Sequence, residues 1–322
     1  MTETVVVLDP ISQDSVTRLR ALLPPGLVLT HGTDRGDDHL KEIIADAHYA
    51  IAGQVGVSGD VLRAARNLKL LHKWGVGVDN LDLDTAQQLG IQVARTTGSN
   101  AVPVAEFTLG LTLAALRCIA FGHAELKKGN WRTATAMPMQ TFMLSGKTVG
   151  IIGFGAIGQA FARLLKGFGC TILYNKRTPL PADEEATLGA RYTTVPEILA
   201  QSDVISLNCP LTPETKNLID RAALQAMKKT AVLVNVARGG VVVESDLIEA
   251  LRAREIHAAA MDVYEIEPLP ADSELLTLDN LVVTPHLAAI AADNFVKTVE
   301  QMFGNIAHVA RGEAVPERDR VV

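Results

Sequence analysis

The stretch TVGIIGFGAIGQAFARLLKGFG, residues 148–169, constrains this chain more than any other. It sets Gly153, Gly155 and Gly158 between a short β-branched run and an amphipathic segment of helical period. In a strand–turn–helix unit of this spelling, the first glycine permits the tight turn. The second lets backbone approach a pyrophosphate, and the third lets the helix pack closely on the strand. The helix N-terminus then offers free N–H donors and a partial positive charge. The expectation is a dinucleotide site at the carboxyl edge of a parallel sheet.

The rest of the chain fits that architecture. Short apolar runs alternate with amphipathic segments, the pattern of parallel strands joined by helices. One series runs through TVVVLD, LVLTHG, YAIAG and LKLLHKW, with helical segments at SVTRLRALL, HLKEIIADA and DVLRAA. A second begins at the glycine loop and continues through CTILYN, DVISLN, AVLVNVA, HAAAMDV and LVVTP. Between the two lies one long helical stretch from near Pro103 to Gly129, where Pro103 is tolerated in the first turn. A further helix closes the chain at ADNFVKTVEQMFGNIAHVARG. At 322 residues the chain exceeds one ordinary core, so the expected fold is α/β with two doubly wound parallel-sheet (Rossmann-like) domains. With no low-complexity linker, short hinges are expected to join them.

Other classes are disfavoured. The N-terminus MTETVVVLDP lacks a basic region, and no stretch approaches the roughly 20 apolar residues that span a bilayer. A soluble cytoplasmic protein that meets no membrane is expected. Cys118, Cys170 and Cys209 are odd in number and far apart, which suits neither a disulfide framework nor a metal site. A net charge of −6 without a basic tract argues against nucleic acid as a partner.

Three polar residues stand where strands end: Arg238 in NVARGG, Glu267 in MDVYEIEPLP and His286 in TPHLAA. Singly, each reads as a surface group. In this order behind a nucleotide loop they make a complete set for hydride transfer to a 2-keto acid. Arg238 can hold a carboxylate and polarise a carbonyl with its planar fork of donors. His286 can protonate the developing alkoxide. Glu267, bonded to the other imidazole nitrogen, would fix the tautomer and favour the protonated ring.

At this point the chain resembles the D-isomer-specific 2-hydroxyacid dehydrogenases. The likeness runs through HKWGVGVDNLDL, GSNAVPVAE, the glycine loop, LNCPLTPETKNLI, LVNVARGGVVVESDLIEAL, AAMDVYEIEPLP and NLVVTPHLAA. The resemblance implies that Arg238, Glu267 and His286 are catalytic and that Asp262 bonds the nicotinamide carboxamide. It implies a cofactor site that includes Gly153, Gly155, Ala156, Ile157, Gly158, Cys209, Pro210 and Val236. The loop GVGVD, with Val76 and Gly77, would clamp the substrate carboxylate beside Gln54, Arg238 and the hinge residue Asn100. Glycines at 75 and 77 would let successive N–H groups converge on an anion. The resemblance also implies an inserted domain: residues 1–99 and 288–322 would bind substrate, and residues 100–287 the dinucleotide. Closure over the cleft would then exclude water. The segment from the long helix through Trp131, with the apolar run MPMQTFML, residues 137–144, resembles a dimer-forming arm, so a homodimer is expected.

Cofactor and substrate choice follow from two further stretches. An acid about 20 residues beyond the glycine loop accepts hydrogen bonds from the ribose of NAD and repels the 2'-phosphate of NADP. Here YNKRT offers Asn175, Lys176, Arg177 and Thr178 instead, so NADP is the expected cofactor, with NAD the other possibility. The loop AGQVGVSG, residues 52–59, has Gln54 among small neighbours, where relatives that take phosphorylated acids carry Arg. That favours a small unphosphorylated acid such as glyoxylate or hydroxypyruvate over phosphoglycerate. His72 and Lys73 beside the clamp are read either as admitting a more polar tail or as strand-end solubility. Two rival readings are a cofactor-sensing binding protein of the same fold and a formate dehydrogenase; Glu267 opposes the second, since that branch carries Gln there.

Overall fold

A computed structural model of the chain describes residues 2–131 and 139–322. Its backbone falls into two compact units, Met1–Asn100 with Ile290–Val322, and Ala101–Ala289. In the first unit, strands β1 (Glu3–Val7), β2 (Leu27–His31), β3 (Tyr49–Ala52), β4 (Leu70–Lys73) and β5 (Gln92–Arg95) pair in the order β2-β1-β3-β4-β5. Every pairing is parallel. Buried on both faces, these strands read as near-continuous apolar runs, with Val5, Val7, Tyr49, Ile51 and Leu70 packed on one side. The terminal helix, Phe295–Ala310, lays Val299, Met302, Phe303 and Ile306 on that face, an i, i+3, i+4, i+7 stripe. The chain end returns to the sheet edge, where Val93 exchanges backbone hydrogen bonds with Val321 and Val322.

The second unit holds strands β6 (Thr148–Ile152), β7 (Thr171–Asn175), β8 (Ala190–Tyr192), β9 (Val204–Leu207), β10 (Val232–Asn235), β11 (Ala258–Met261) and β12 (Leu281–Val283). Their order is β12-β11-β10-β9-β6-β7-β8, again parallel throughout. The order reverses between β6 and β9, the switch point where open α/β sheets build ligand sites. Both sheets are thus doubly wound, as the alternation of apolar runs requires.

Three departures from the sequence reading are physical. Strands β5 and β8 were not anticipated: β5 mixes Gln92 and Arg95 with only two apolar residues, and β8 is a three-residue edge strand. The single long helix is two, Ala101–Leu116 and Ile119–Lys127, bent by 67°. The break falls at Cys118, whose left-handed φ of 54° ends the first helix. No single helix among the described residues is long and apolar enough to cross a membrane. Of the run 137–144, residues 137 and 138 lie outside the described residues. Phe142 packs edge-on to His257, with ring centroids 4.9 Å apart, and Leu144 is buried, so part of that run serves the unit's own core.

Candidate active site

The loops that follow β10, β11 and β12 bring Arg238, Glu267 and His286 into one neighbourhood. Gly239 explains the first meeting: a Cβ there would collide with the backbone of Tyr264 and Glu265, so only glycine lets the Arg238 turn lie against the Glu267 loop. The loop is fastened further by a reciprocal pair. The Glu265 amide donates to Glu244 Oε1 (2.6 Å), and the Glu244 amide donates to Glu265 Oε1 (3.1 Å). Glu267 Oε1 accepts from the Tyr264 amide at 3.0 Å, and Glu267 Oε2 lies 2.7 Å from His286 Nδ1. Burial pushes the Glu267 carboxyl up. The hydrogen bond and charge of His286, the Tyr264 amide and the charge of Arg238 together outweigh it, and the net pKa lies below the usual 4.5. The arrangement orients the imidazole with a carboxylate at Nδ1 and leaves Nε2 for another partner. Arg238 Nη1 donates to the Ala237 carbonyl at 2.8 Å, which fixes the start of the guanidinium fork.

His286 itself has a φ of 54°, unusual for a residue with a side chain and a common mark of a functional turn. Asp262 holds that turn. Its carboxylate accepts from Thr284 Oγ1 (2.6 Å), the Leu287 amide (2.9 Å) and the Ala288 amide (2.8 Å), and the residue has no exposed surface. Asp262 thus clamps the histidine turn.

The dinucleotide residues gather at the switch point. Gly153, with φ of 94°, lies against the Asn208–Cys209 backbone, and a Cβ on Gly158 would strike the Gly153 carbonyl. Gly155 caps the helix Ala156–Leu165, and a Cβ there would meet nothing within 4 Å, which leaves room above the helix N-terminus. A pyrophosphate therefore fits the N–H donors of Ala156 and Ile157. Cys209 and Val236 are buried in the cores on the two sheet faces, so they offer backbone more than side chain; burial pushes the Cys209 thiol up to about 11. Pro210 is exposed, as are Arg177 and Thr178, while Asn175 and Lys176 are half-buried. Asn175 Nδ2 donates to the Thr193 carbonyl at 2.8 Å, which fixes the amide and turns it into a neutral acceptor through Oδ1. Glu214 is held below the usual carboxylate range, first by Thr212 and in small part by the charge of Arg177.

The expected substrate residues Gln54, Val76, Gly77 and Asn100 belong to the first unit, each on a loop or chain crossing. Asp9, which the sequence reading missed, collects three consecutive amides: Gly53, Gln54 (2.7 Å) and Val55 (3.0 Å). Asn80 and Lys73 finish the brace, with Asn80 Nδ2 on the Val55 carbonyl (2.6 Å) and Lys73 Nζ on both the Gly53 carbonyl and Asn80 Oδ1 (2.7 Å). Strand-end solubility does not account for His72 and Lys73, both of which are buried. His72 has no exposed surface; its Nδ1 lies 2.9 Å from the Lys73 carbonyl and its Nε2 3.0 Å from Asn305 Nδ2. Lys73 is 7% exposed and spent on the brace. Gly75 has a φ of 138°, and its carbonyl accepts from both Thr96 N (3.0 Å) and Thr96 Oγ1 (3.2 Å). Asn100 Oδ1 is buried without a hydrogen-bond partner. Arg35, from outside the 52–59 loop, sits 3.5 Å from Gln54 Oε1, both at the surface. Among the described residues, no group of three or more His, Cys, Asp or Glu side chains could hold a metal ion.

Comparison with known proteins agrees with this geometry. The sequence model described as D-isomer specific 2-hydroxyacid dehydrogenase, NAD binding domain, matches residues 109–288. A D-3-phosphoglycerate dehydrogenase of Archaeoglobus fulgidus is 36% identical over 319 residues, 98% of this chain; this chain spans only 59% of that relative's length. A hydroxypyruvate reductase of Thermotoga maritima is 38% identical over 260 residues, covering 80% of this chain and 82% of the relative. A crystal structure from Thermus thermophilus superposes with a TM-score of 0.87 at 33% identity, covering 99% of this chain and all of that one. With the glycine loop, the Arg238, Glu267 and His286 loops and these matches in agreement, the chain belongs to the D-isomer-specific 2-hydroxyacid dehydrogenases.

Proposed function

We propose that this protein reduces a small 2-keto acid such as glyoxylate or hydroxypyruvate, with NADPH as the preferred cofactor and the reverse oxidation open to it. The observation that carries the reading is the His286–Glu267 pair on loops beside Arg238. The bound nicotinamide supplies the hydride. Glu267, ionised at working pH, holds Nδ1–H and favours the charged ring, so that Nε2–H can be given to the developing alkoxide. Arg238 pairs the substrate carboxylate and draws charge from the carbonyl. The Gly75–Asp79 backbone, with Gly75 at a φ of 138°, would offer N–H groups to an anion.

The cofactor preference rests on Asn175, which is tied to Thr193 and offers a ribose no negative charge, and on the exposed Arg177 beside it. Gly153, Gly155 and Gly158 would seat the pyrophosphate, with Lys176 and Thr178 near the 2'-phosphate. A homodimer in the cytoplasm completes the reading; Ile119, Leu126, Trp131 and Met143 are exposed apolar side chains suited to such a contact.

A second reading, 3-phosphoglycerate or another acid with an anionic tail, is favoured by one observation: Arg35 reaches Gln54 from outside its loop. Relatives named D-3-phosphoglycerate dehydrogenase match nearly the whole chain. A panel of 2-keto and 2-hydroxy acids, phosphorylated and not, assayed with all four nicotinamide cofactors, separates the two. Fastest turnover of glyoxylate or hydroxypyruvate with NADPH supports the first reading. Preference for a phosphorylated acid establishes the second, and cofactor binding without turnover of any acid overturns both.

A further inference from the structure

Tyr264 touches all three loops, the Arg238 turn through its backbone and the ends of β11 and β12 through its hydroxyl, and nothing in the chemistry above assigns it a task. It lies three residues before Glu267 and is 6% exposed. Its amide donates to Glu267 Oε1 at 3.0 Å. Its hydroxyl reaches the other way, accepting from the Thr284 amide (3.1 Å) and facing the carbonyls of Met261 (3.1 Å) and Thr284 (3.0 Å) as donor. Thr284 is two residues from His286. The Tyr264 carbonyl rests on Gly239, next to Arg238, where a Cβ has no space.

We propose that Tyr264 is a positioning residue whose hydroxyl ties the end of β11 to the end of β12 and so sets the separation of Glu267 from His286. The inference rests on the proton-donor reading of that pair. The Thr284 amide also donates to the Met261 carbonyl (3.0 Å) and the His286 amide to the Thr284 carbonyl (3.1 Å), so the phenol adds a side-chain tie to strand ends that the backbone already pairs. Burial, with the nearby carboxylates of Asp262, Glu267 and Glu244, pushes the phenol up to about 12 against the opposing Thr284 amide bond, so it remains a neutral donor throughout the working range. Arg238 and His286 are basic side chains on the facing loops, and Glu265 is a further acid. Removing only the hydroxyl leaves the ring, its packing and the Thr284 bonds to Met261 and Asp262, and loosens the strand end at Thr284 by the three bonds of the phenol. A shift of a few tenths of an ångström lengthens the His286–Glu267 bond and weakens the carboxylate's hold on the imidazolium.

The test is Tyr264→Phe in the full chain, assayed beside wild type and His286→Ala with the best keto acid. The expected result is a fall in kcat of roughly tenfold with KM nearly unchanged, together with an alkaline decline of reduction displaced to lower pH by about half a unit or more. The affinity for NADPH, read by fluorescence, stays at the wild-type value. Proton NMR supplies a readout independent of turnover: the strongly deshielded Nδ1 proton of His286, absent from His286→Ala, should move upfield in Tyr264→Phe. Wild-type kcat, pH profile and Nδ1 signal in the folded variant overturn the inference while leaving the proton-donor reading intact. Near-wild-type turnover by His286→Ala overturns that reading and the inference with it.

Discussion

His286 presents Nδ1, and not Nε2, to Glu267: the Nδ1–Oε2 separation is 2.7 Å, and the backbone turn that produces it has a φ of 54° at the histidine. The carboxylate is thereby committed to one ring nitrogen, and the other is the one that can exchange a proton with substrate. Because the Glu267 pKa lies below its ordinary 4.5, the pair's stabilisation is present above that value and is lost as pH falls through the lowered one. The acid does not titrate near neutrality.

Glu267→Gln should therefore act on the alkaline side. The amide still accepts from Nδ1–H but no longer favours the imidazolium, so the pH at which keto-acid reduction declines moves downward, by roughly one unit. Steady-state rates between pH 5.5 and 9.5 on wild type and variant check it. A profile unchanged in position removes Glu267 from the proton relay.

For the cofactor, Arg177→Ala should weaken NADPH by about 1.5–3 kcal/mol, the range for a hydrogen bond to a charged group, or roughly 10- to 150-fold in Kd. NADH should be barely affected, since it lacks the 2'-phosphate that Arg177 would pair. Titration calorimetry with both dinucleotides measures the difference. An equal loss for both would assign Arg177 to adenine packing or to general charge.

The buried His72 makes a prediction about stability. Burial lowers its pKa to about 4, against smaller opposing effects of the Lys73 carbonyl and Asp319. The unfolded chain takes up a proton near pH 6.5 that the folded chain refuses, so this contribution is lost as pH falls from about 6.5 toward 4. From pH 7 to pH 5 it costs about 2 kcal/mol. In urea unfolding, His72→Gln should be less stable than wild type at pH 7 yet lose less between pH 7 and pH 5. Equal losses would show that other groups govern the acid limb.

The parts legible in the sequence are those whose chemistry is local. A glycine loop must spell out its constraints within a few residues: Gly153 needs positive φ and Gly158 must let the Gly153 carbonyl pass. Arg238, Glu267 and His286 were legible as candidate residues, because each follows an apolar strand, but their mutual fastening was not. Asp9 accepts from amides 44 to 46 residues away, and Asn80 Nδ2 donates to carbonyls 25 and 27 residues away. Tyr264 bonds a partner 20 residues on, and no spacing rule announces it. The burial of His72 was hidden for the same reason, since its partner Asn305 stands 233 residues beyond it. Strand β8 escaped because Arg191 and Tyr192 at a sheet edge carry no apolar alternation.

The central claim, that His286 gives the proton in reduction of a 2-keto acid, is tested most directly by the kcat of His286→Ala with the preferred keto acid and saturating NADPH. Loss of a positioned general acid should lower it by about 10²- to 10⁴-fold while the Kd for NADPH stays within about twofold of wild type. A folded His286→Ala protein that turns over at near the wild-type rate would contradict the account.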